Sequence, residues 1–284
     1  MCGRFFLATP AEAIARLFGL DRVRPEDLSA AAGGLPPEAG ARFNICPTEL
    51  IPVVREIGRN GARARELVPM RWGLIPYWAD DPSIGNRTPP LINARSETAA
   101  TSSAFQHALQ RRRCLIPADG FYEWKKIAPK TKRVMAIRSA DRAPLALAGL
   151  WERWLPPEHR PGSSNDDAGP TTAPPPHPPT LPPHDRPKPW VHTVTILTCP
   201  PNALLEDIHD RMPVILEPHE WDRWLDPAQH EAAAVAPLLD PYPSEKLTVH
   251  PVAKLGEDPG FPGPANATAE MRDEASEPGG TLWG

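Results

Sequence analysis

Proline sets the first limit on what this chain can fold into. It lacks a backbone N–H and has a fixed φ, so helix interiors and central strands exclude it. The sequence holds 40 prolines in 284 residues, far above the usual share of about 5%. They cluster in "LPPEHRPGSSNDDAGPTTAPPPHPPTLPPHDRPKP", Leu155 to Pro189, which has almost no core-forming residue. That composition predicts a disordered or polyproline II insertion. A shorter stretch, Ser29 to Gly40, is turn-rich, and 256–284 reads as a loose tail. None of these separates two independent apolar patterns. The expectation is one domain over 1–255, with the insertion at about 155–189 inside it.

Between these stretches the apolar spacing is regular. "TPAEAIARLFGL" predicts a helix with Thr9 as N-cap, Pro10 next, and Ile14, Leu17 and Phe18 on one face. Strand patterns occur in "LIPVVREI", "ELVPMRW", Cys114 to Pro117, Phe121 to Trp124, "RVMAIR", "LALAGLWERW", "VHTVTILTC" and "KLTVHPVAK". Helices are expected over 103–112, in "NALLEDIH", and in "EPHEWDRWLD", where Trp221 and Trp224 share a face. Many strands with few short helices predict an α+β domain built on a mixed or antiparallel sheet.

Other classes are disfavoured. No run of about 18 apolar residues suggests a membrane span, and no secretory signal is visible. Cys2, Cys46, Cys114 and Cys199 are far apart and form no CxxC pair. Reduced thiols in a cytoplasmic protein are therefore expected, with no metal, no cofactor and no disulfide framework. The net charge is −4, so a nucleic-acid ligand would need a local basic groove.

Four stretches carry chemistry. In "MCGRF", removal of Met1 would leave Cys2 with an amine and a thiol on adjacent carbons. With an amine pKa near 7.7–8.0, roughly a tenth is neutral at pH 7 and able to attack an aldehyde. The thiol can then close a thiazolidine ring. The same pair suits N-terminal-nucleophile amide hydrolysis. In "NARSET", alternate strand positions aim Asn93 and Arg95 to one side, though a helix-capping loop fits equally. "DGFYEWKK" puts Glu123 among aromatic residues, where a raised pKa would suit proton transfer; an edge carboxylate paired with Lys125 or Lys126 is the alternative. "IHDRMPVIL" groups His209, Asp210 and Arg211 at an element boundary. "RWGLIPYW" adds Arg71, Trp72, Tyr77 and Trp78, suited to base stacking or to a core.

The ordered set "MCGRF", "RFNICPT", "RWGLIPYWA", "LINARSET", "GFYEW" and "HDRMPVIL" resembles the SRAP family, the SOS response-associated peptidases, which are abasic-site processing proteins. The resemblance runs from Met1 to about Trp224. It implies a single domain with a curved, barrel-like sheet flanked by short helices and a basic DNA groove. It also implies covalent trapping of abasic sites in single-stranded DNA through mature Cys2, after autoproteolytic loss of Met1. Carried onto this chain, Cys2 is the nucleophile, Glu123 and His209 move protons, and Asn93 holds the N-terminus or lesion. Arg4, Arg95 and Arg211 contact phosphates. Trp72 stacks or wedges against bases, and Thr198 touches DNA at a strand end. A monomer that becomes nucleoid-associated when bound to DNA is expected. The chain departs from the pattern at Cys46, where a small residue is expected, in the length of the insertion, and in a C-terminus without the family's asparagine-containing ending. A thiol peptidase and a non-catalytic single-strand binder are the competing readings.

Overall fold

A computed structural model describes residues 2–20, 41–59, 62–80, 91–160, 190–253, 255–257 and 271–272. The turn-rich stretch 29–40 and nearly all of the proline-rich insertion lie outside the described residues, as does most of the expected tail.

The described strands are β1 (Phe5–Leu7), β2 (Arg42–Ile45), β3 (Leu50–Arg59), β4 (Ala62–Trp72), β5 (Asn93–Arg95), β6 (Arg113–Ala118) and β7 (Gly120–Ala128). They continue with β8 (Thr131–Ser139), β9 (Leu145–Trp154), β10 (Val191–Cys199), β11 (Met212–Pro213), β12 (Leu247–Pro251) and β13 (Met271–Arg272). The helices are short: α1 (Ala11–Leu17), α2 (Ser96–Ala99), α3 (Gln106–Arg111), α4 (Trp221–Leu225) and α5 (Ala232–Val235). This is the α+β class the sequence predicts.

One sheet runs β12-β8-β7-β1-β2, with β13 also on β8. The other runs β11-β10-β4-β3-β6-β9, and an added β10–β9 pairing closes five of its strands into a barrel. β4 and β5 lie parallel to β10, whereas β9 and β11 are antiparallel to it, so the barrel sheet is mixed. Closure removes the edges that would otherwise invite pairing with another chain. A single apolar cluster joins β1, the barrel strands and α4; it includes Phe5, Ile51, Trp72, Leu115, Ile196 and Trp224.

Three local expectations are corrected. The helix near Thr9 starts after Pro10, and Thr9 supplies no side-chain cap; its hydroxyl instead donates to Asp119 at 2.6 Å. "NALLEDIH" forms consecutive turns rather than a helix. Asn202 accepts from the Leu205 N–H at 3.2 Å and donates to the Tyr242 carbonyl at 2.7 Å, which anchors the first turn and fixes where His209 emerges. Finally, β13 falls within the segment read as a loose tail and pairs with Lys132 and Thr131 of β8.

Candidate active site at the N-terminus

β1 lies between β2 and β7, so the start of the chain is held from both sides. Phe5 faces Phe121 in the ladder and Phe6 faces Gly120. A Cβ at Gly120 would stand 2.4 Å from the Ile137 carbonyl oxygen and 2.5 Å from the Phe6 ring. Only a glycine allows β1 so close at that point. The Tyr122 N–H donates to the Arg4 carbonyl and the Asp119 N–H to the Phe6 carbonyl, both at 2.9 Å. The Asp119 carboxylate also accepts from the Ala8 and Thr9 N–H groups at 2.6 and 2.7 Å. The five residues from Asp119 to Glu123 thus grip Arg4 to Thr9 and carry the candidate acid on the same segment.

Cys2 is fully buried just ahead of β1. The Asn93 amide donates to the Cys2 carbonyl at 3.0 Å. Asn93 itself is set by β5, where it lies opposite Ile196 of β10. Its Oδ1 is buried and has no hydrogen-bond partner among the described residues. An acceptor left in that state costs about 1–3 kcal/mol. Burial pushes the Cys2 thiol up, and the nearby Glu123 charge adds to the effect.

Glu123 is 2% exposed. Burial pushes its carboxyl up to about 7, with Asp210 also raising it. His209 Nε2 stands 3.8 Å from Glu123 Oε2. The other ring nitrogen, Nδ1, lies 3.0 Å from the Arg211 N–H and accepts from it when it carries no proton. Asp210 Oδ1 lies 2.8 Å from the same Nδ1 and accepts from it when Nδ1 is protonated. Burial lowers the His209 pKa, against the pull of Asp210. Cys2, Asn93, Glu123 and His209 therefore converge from four separate parts of the chain.

The expected DNA contacts fare differently. Arg95 is exposed at the end of β5 and forms no ion pair with a described residue. Arg4 donates to Asn44 Oδ1 at 2.7 Å and remains half-buried. Arg211 is a brace: both terminal nitrogens bind Glu97, one of them at 2.8 Å, and Nη2 also reaches the Thr198 carbonyl at 2.5 Å. That pairing holds the Glu97 carboxyl down at about 2. Thr198 is fully buried, its hydroxyl donating to the Ala94 carbonyl at 3.4 Å, so it stands behind the surface rather than on it.

Trp72 requires a similar correction. It is fully buried, packed edge-on against Phe5 at 5.3 Å between ring centroids, with its indole N–H bonded to the Ile92 carbonyl at 2.9 Å. It cannot stack on a base from there. Tyr77 and Trp78, five and six positions on, are 49% and 47% exposed. Cys46 is a half-buried free thiol that donates to the Asn44 carbonyl at 3.5 Å. Among the described residues no group of three or more His, Cys, Asp or Glu is arranged to hold a metal.

Asp119, Glu97 and Asn44 are the supporting residues that sequence reading missed. All three nevertheless lie inside stretches quoted from the sequence, Asn44 in "RFNICPT", Glu97 in "NARSET" and Asp119 at the start of "DGFYEWKK".

The fold and site define an α+β barrel protein whose candidate reactive centre is assembled around the second residue of the chain. The chain belongs to the SOS response associated peptidase (SRAP) family, whose model matches residues 1–257. It is 35% identical over 259 residues to the abasic site processing protein YoqW of Bacillus subtilis, covering 91% of this chain and 95% of that protein. It is 30% identical over 258 residues to the abasic site processing protein YedK of Escherichia coli, covering 89% and 93%. A crystal structure of a Bacteroides thetaiotaomicron protein shares the fold, with a TM-score of 0.66 at 22% identity over 88% of this chain and 92% of that one.

Proposed function

We propose that this protein processes abasic sites in single-stranded DNA by forming a covalent thiazolidine link through Cys2, once Met1 has been removed. The observation that carries the reading is the convergence of the Asn93 amide on the Cys2 carbonyl at 3.0 Å, with His209 beside Glu123 at 3.8 Å. The names of the relatives agree with the substrate.

A ring-opened abasic sugar is an aldehyde. The freed Cys2 amine attacks its carbonyl carbon, and the adduct loses water to give an imine. The thiol then adds to the imine carbon: a C–S bond forms, the C=N bond becomes single, and the thiol proton ends on the ring nitrogen. The net change is loss of one water. Because burial raises the thiol pKa, the thiol enters as S–H and needs a proton acceptor nearby. Glu123, with a pKa of about 7, can both take and give a proton near neutral pH. His209 backs the carboxylate and shuttles protons to the sugar oxygen. Asn93 holds the Cys2 backbone so that amine and thiol face the same carbon.

An abasic site offers no base to read. Recognition then falls to phosphate contacts by Arg4 and Arg95 and to stacking of neighbouring bases on Tyr77 and Trp78. Arg211, Thr198 and Trp72 act from behind as braces.

The test is a denaturing gel of N-terminally processed protein incubated with a single strand bearing one abasic site. Wild type is expected to shift the labelled strand, Glu123→Gln to do so roughly 100-fold more slowly or worse, and Cys2→Ala not at all. Equal crosslinking by Cys2→Ala would overturn the mechanism.

A further inference from the structure

The chain anchors His209 on both sides. Its N–H donates to the Leu205 carbonyl at 3.0 Å, and shortly afterwards Met212 pairs with Cys199 of β10. The ring is held with Nε2 toward Glu123, 3.8 Å from Oε2. Nδ1 meets two rival groups. The Arg211 N–H, a donor, stands 3.0 Å away, and Asp210 Oδ1, an acceptor, stands 2.8 Å away. A neutral imidazole carries one proton, so it serves only one of them at a time.

That choice decides what the ring offers Glu123. With the proton on Nδ1, Asp210 is served and Nε2 is an acceptor. With the proton on Nε2, the Arg211 N–H is served and Nε2 is a donor. Two observations favour Asp210. Its contact is the shorter, and a hydrogen bond to a carboxylate is roughly twice as strong as one between neutral groups. The Glu123 carboxyl, pushed up to about 7 chiefly by burial, keeps its proton just below that pH and calls for an acceptor. The His209 ring is neutral there, because burial, the terminal amine and Lys132 lower its pKa from 6.5 against the pull of Asp210. Solvent weakens the Asp210 contact, since that side chain is 87% exposed. The same exposure means that replacing Asp210 opens no hole in the core.

We propose that Asp210 is a positioning residue that holds the His209 proton on Nδ1 and so makes Nε2 the acceptor for the Glu123 proton. The O–H bond of Glu123 breaks, an N–H bond forms at Nε2, and the resulting imidazolium pairs with Asp210. Nε2 then passes the proton to the sugar oxygen, which restores the starting ring. The gap between Nε2 and Oε2 has to close by roughly 1 Å for the first transfer. The inference rests on the reading of the site as a crosslinking centre.

The experiment uses N-terminally processed protein labelled with 15N-histidine. Two-bond 1H–15N spectra at about pH 6.8, where the ring is neutral and the carboxyl largely protonated, report which ring nitrogen carries the proton. A His209→Gln spectrum assigns the signal. Wild type should show the proton on Nδ1, and Asp210→Ala should move it to Nε2. The second arm follows crosslinking rate against pH at saturating abasic strand. The Asp210 charge raises the pKa of both Glu123 and His209. Asp210→Ala and the isosteric Asp210→Asn should therefore move the profile to lower pH. Their rates at about pH 7 should fall by roughly 10- to 100-fold, part of what positioned proton transfer supplies. A wild-type ring protonated on Nε2, or an unshifted profile in Asp210→Ala, would overturn the proposal and leave the Cys2 chemistry standing. A wild type with the expected tautomer that never crosslinks an abasic strand would sink the Cys2 mechanism and leave the hold of Asp210 on the ring intact.

Discussion

His209 Nε2 lies 3.8 Å from Glu123 Oε2, and with Glu123 2% exposed and the His209 side chain 26% exposed the carboxyl is the member of the pair shielded from bulk water. That shielding has a cost in stability with a definite sign. The carboxyl rises from an ordinary 4.5 to about 7. Between those values the native state holds a proton that the unfolded chain has released, so stability falls as pH rises through the window. Glutamine does not titrate. Glu123→Gln should therefore gain stability relative to wild type between pH 4.5 and 8, by up to about 3 kcal/mol, while losing activity. Urea denaturation at several pH values checks this, and a pH-independent difference would contradict it.

Asp119 anchors the segment that presents Cys2. Asp119→Ala removes the acceptor for the Ala8 and Thr9 N–H groups and the Thr9 hydroxyl. It should slow crosslinking at saturating DNA and speed hydrogen exchange at Phe6 to Thr9, with little change in non-covalent affinity. Asp119→Asn retains an acceptor and should recover much of the rate. A loss confined to affinity would assign Asp119 another role.

Glu97 occupies Arg211 as a bidentate partner. Glu97→Gln should loosen that pair and let Arg211 meet a phosphate. The salt slope for single-strand binding should then steepen by about 0.7, read from affinities at several salt concentrations. Stability should fall by no more than about 1 kcal/mol, since Glu97 is half-exposed.

Trp72 and Trp78 should separate cleanly. Trp72→Ala empties a fully buried site and should cost about 3–5 kcal/mol of stability. Trp78→Ala should leave the melting transition nearly unchanged and weaken single-strand binding by roughly 1–3 kcal/mol. The reverse pattern would place the wrong tryptophan at the surface.

Much of this arrangement is legible in the sequence. β9 and β10 match "LALAGLWERW" and "VHTVTILTC" to the residue, because apolar runs bounded by prolines leave little freedom at their ends. The convergence of Cys2, Asn93, Glu123 and His209 follows from their order in motifs that resemble one family. What stays hidden is long-range. Thr9 is a local capping signal, yet its hydroxyl goes to Asp119, 110 positions away. Trp72 and Tyr77–Trp78 look alike in "RWGLIPYW", yet Trp72 packs on Phe5 and bonds the Ile92 carbonyl inside the core while the other two stay exposed. Arg211 carries the charge of a phosphate clamp, but Glu97 holds it from 114 positions earlier. Sequence shows which groups are present, whereas pairing across the barrel decides which remain available.

Intact-mass analysis of the processed protein after incubation with an abasic-site oligonucleotide tests the central claim most directly. The account predicts one adduct, equal to protein without Met1 plus DNA minus one water, and its absence with Cys2→Ala. An adduct that retains Met1, or one that forms equally well without the Cys2 thiol, would contradict it.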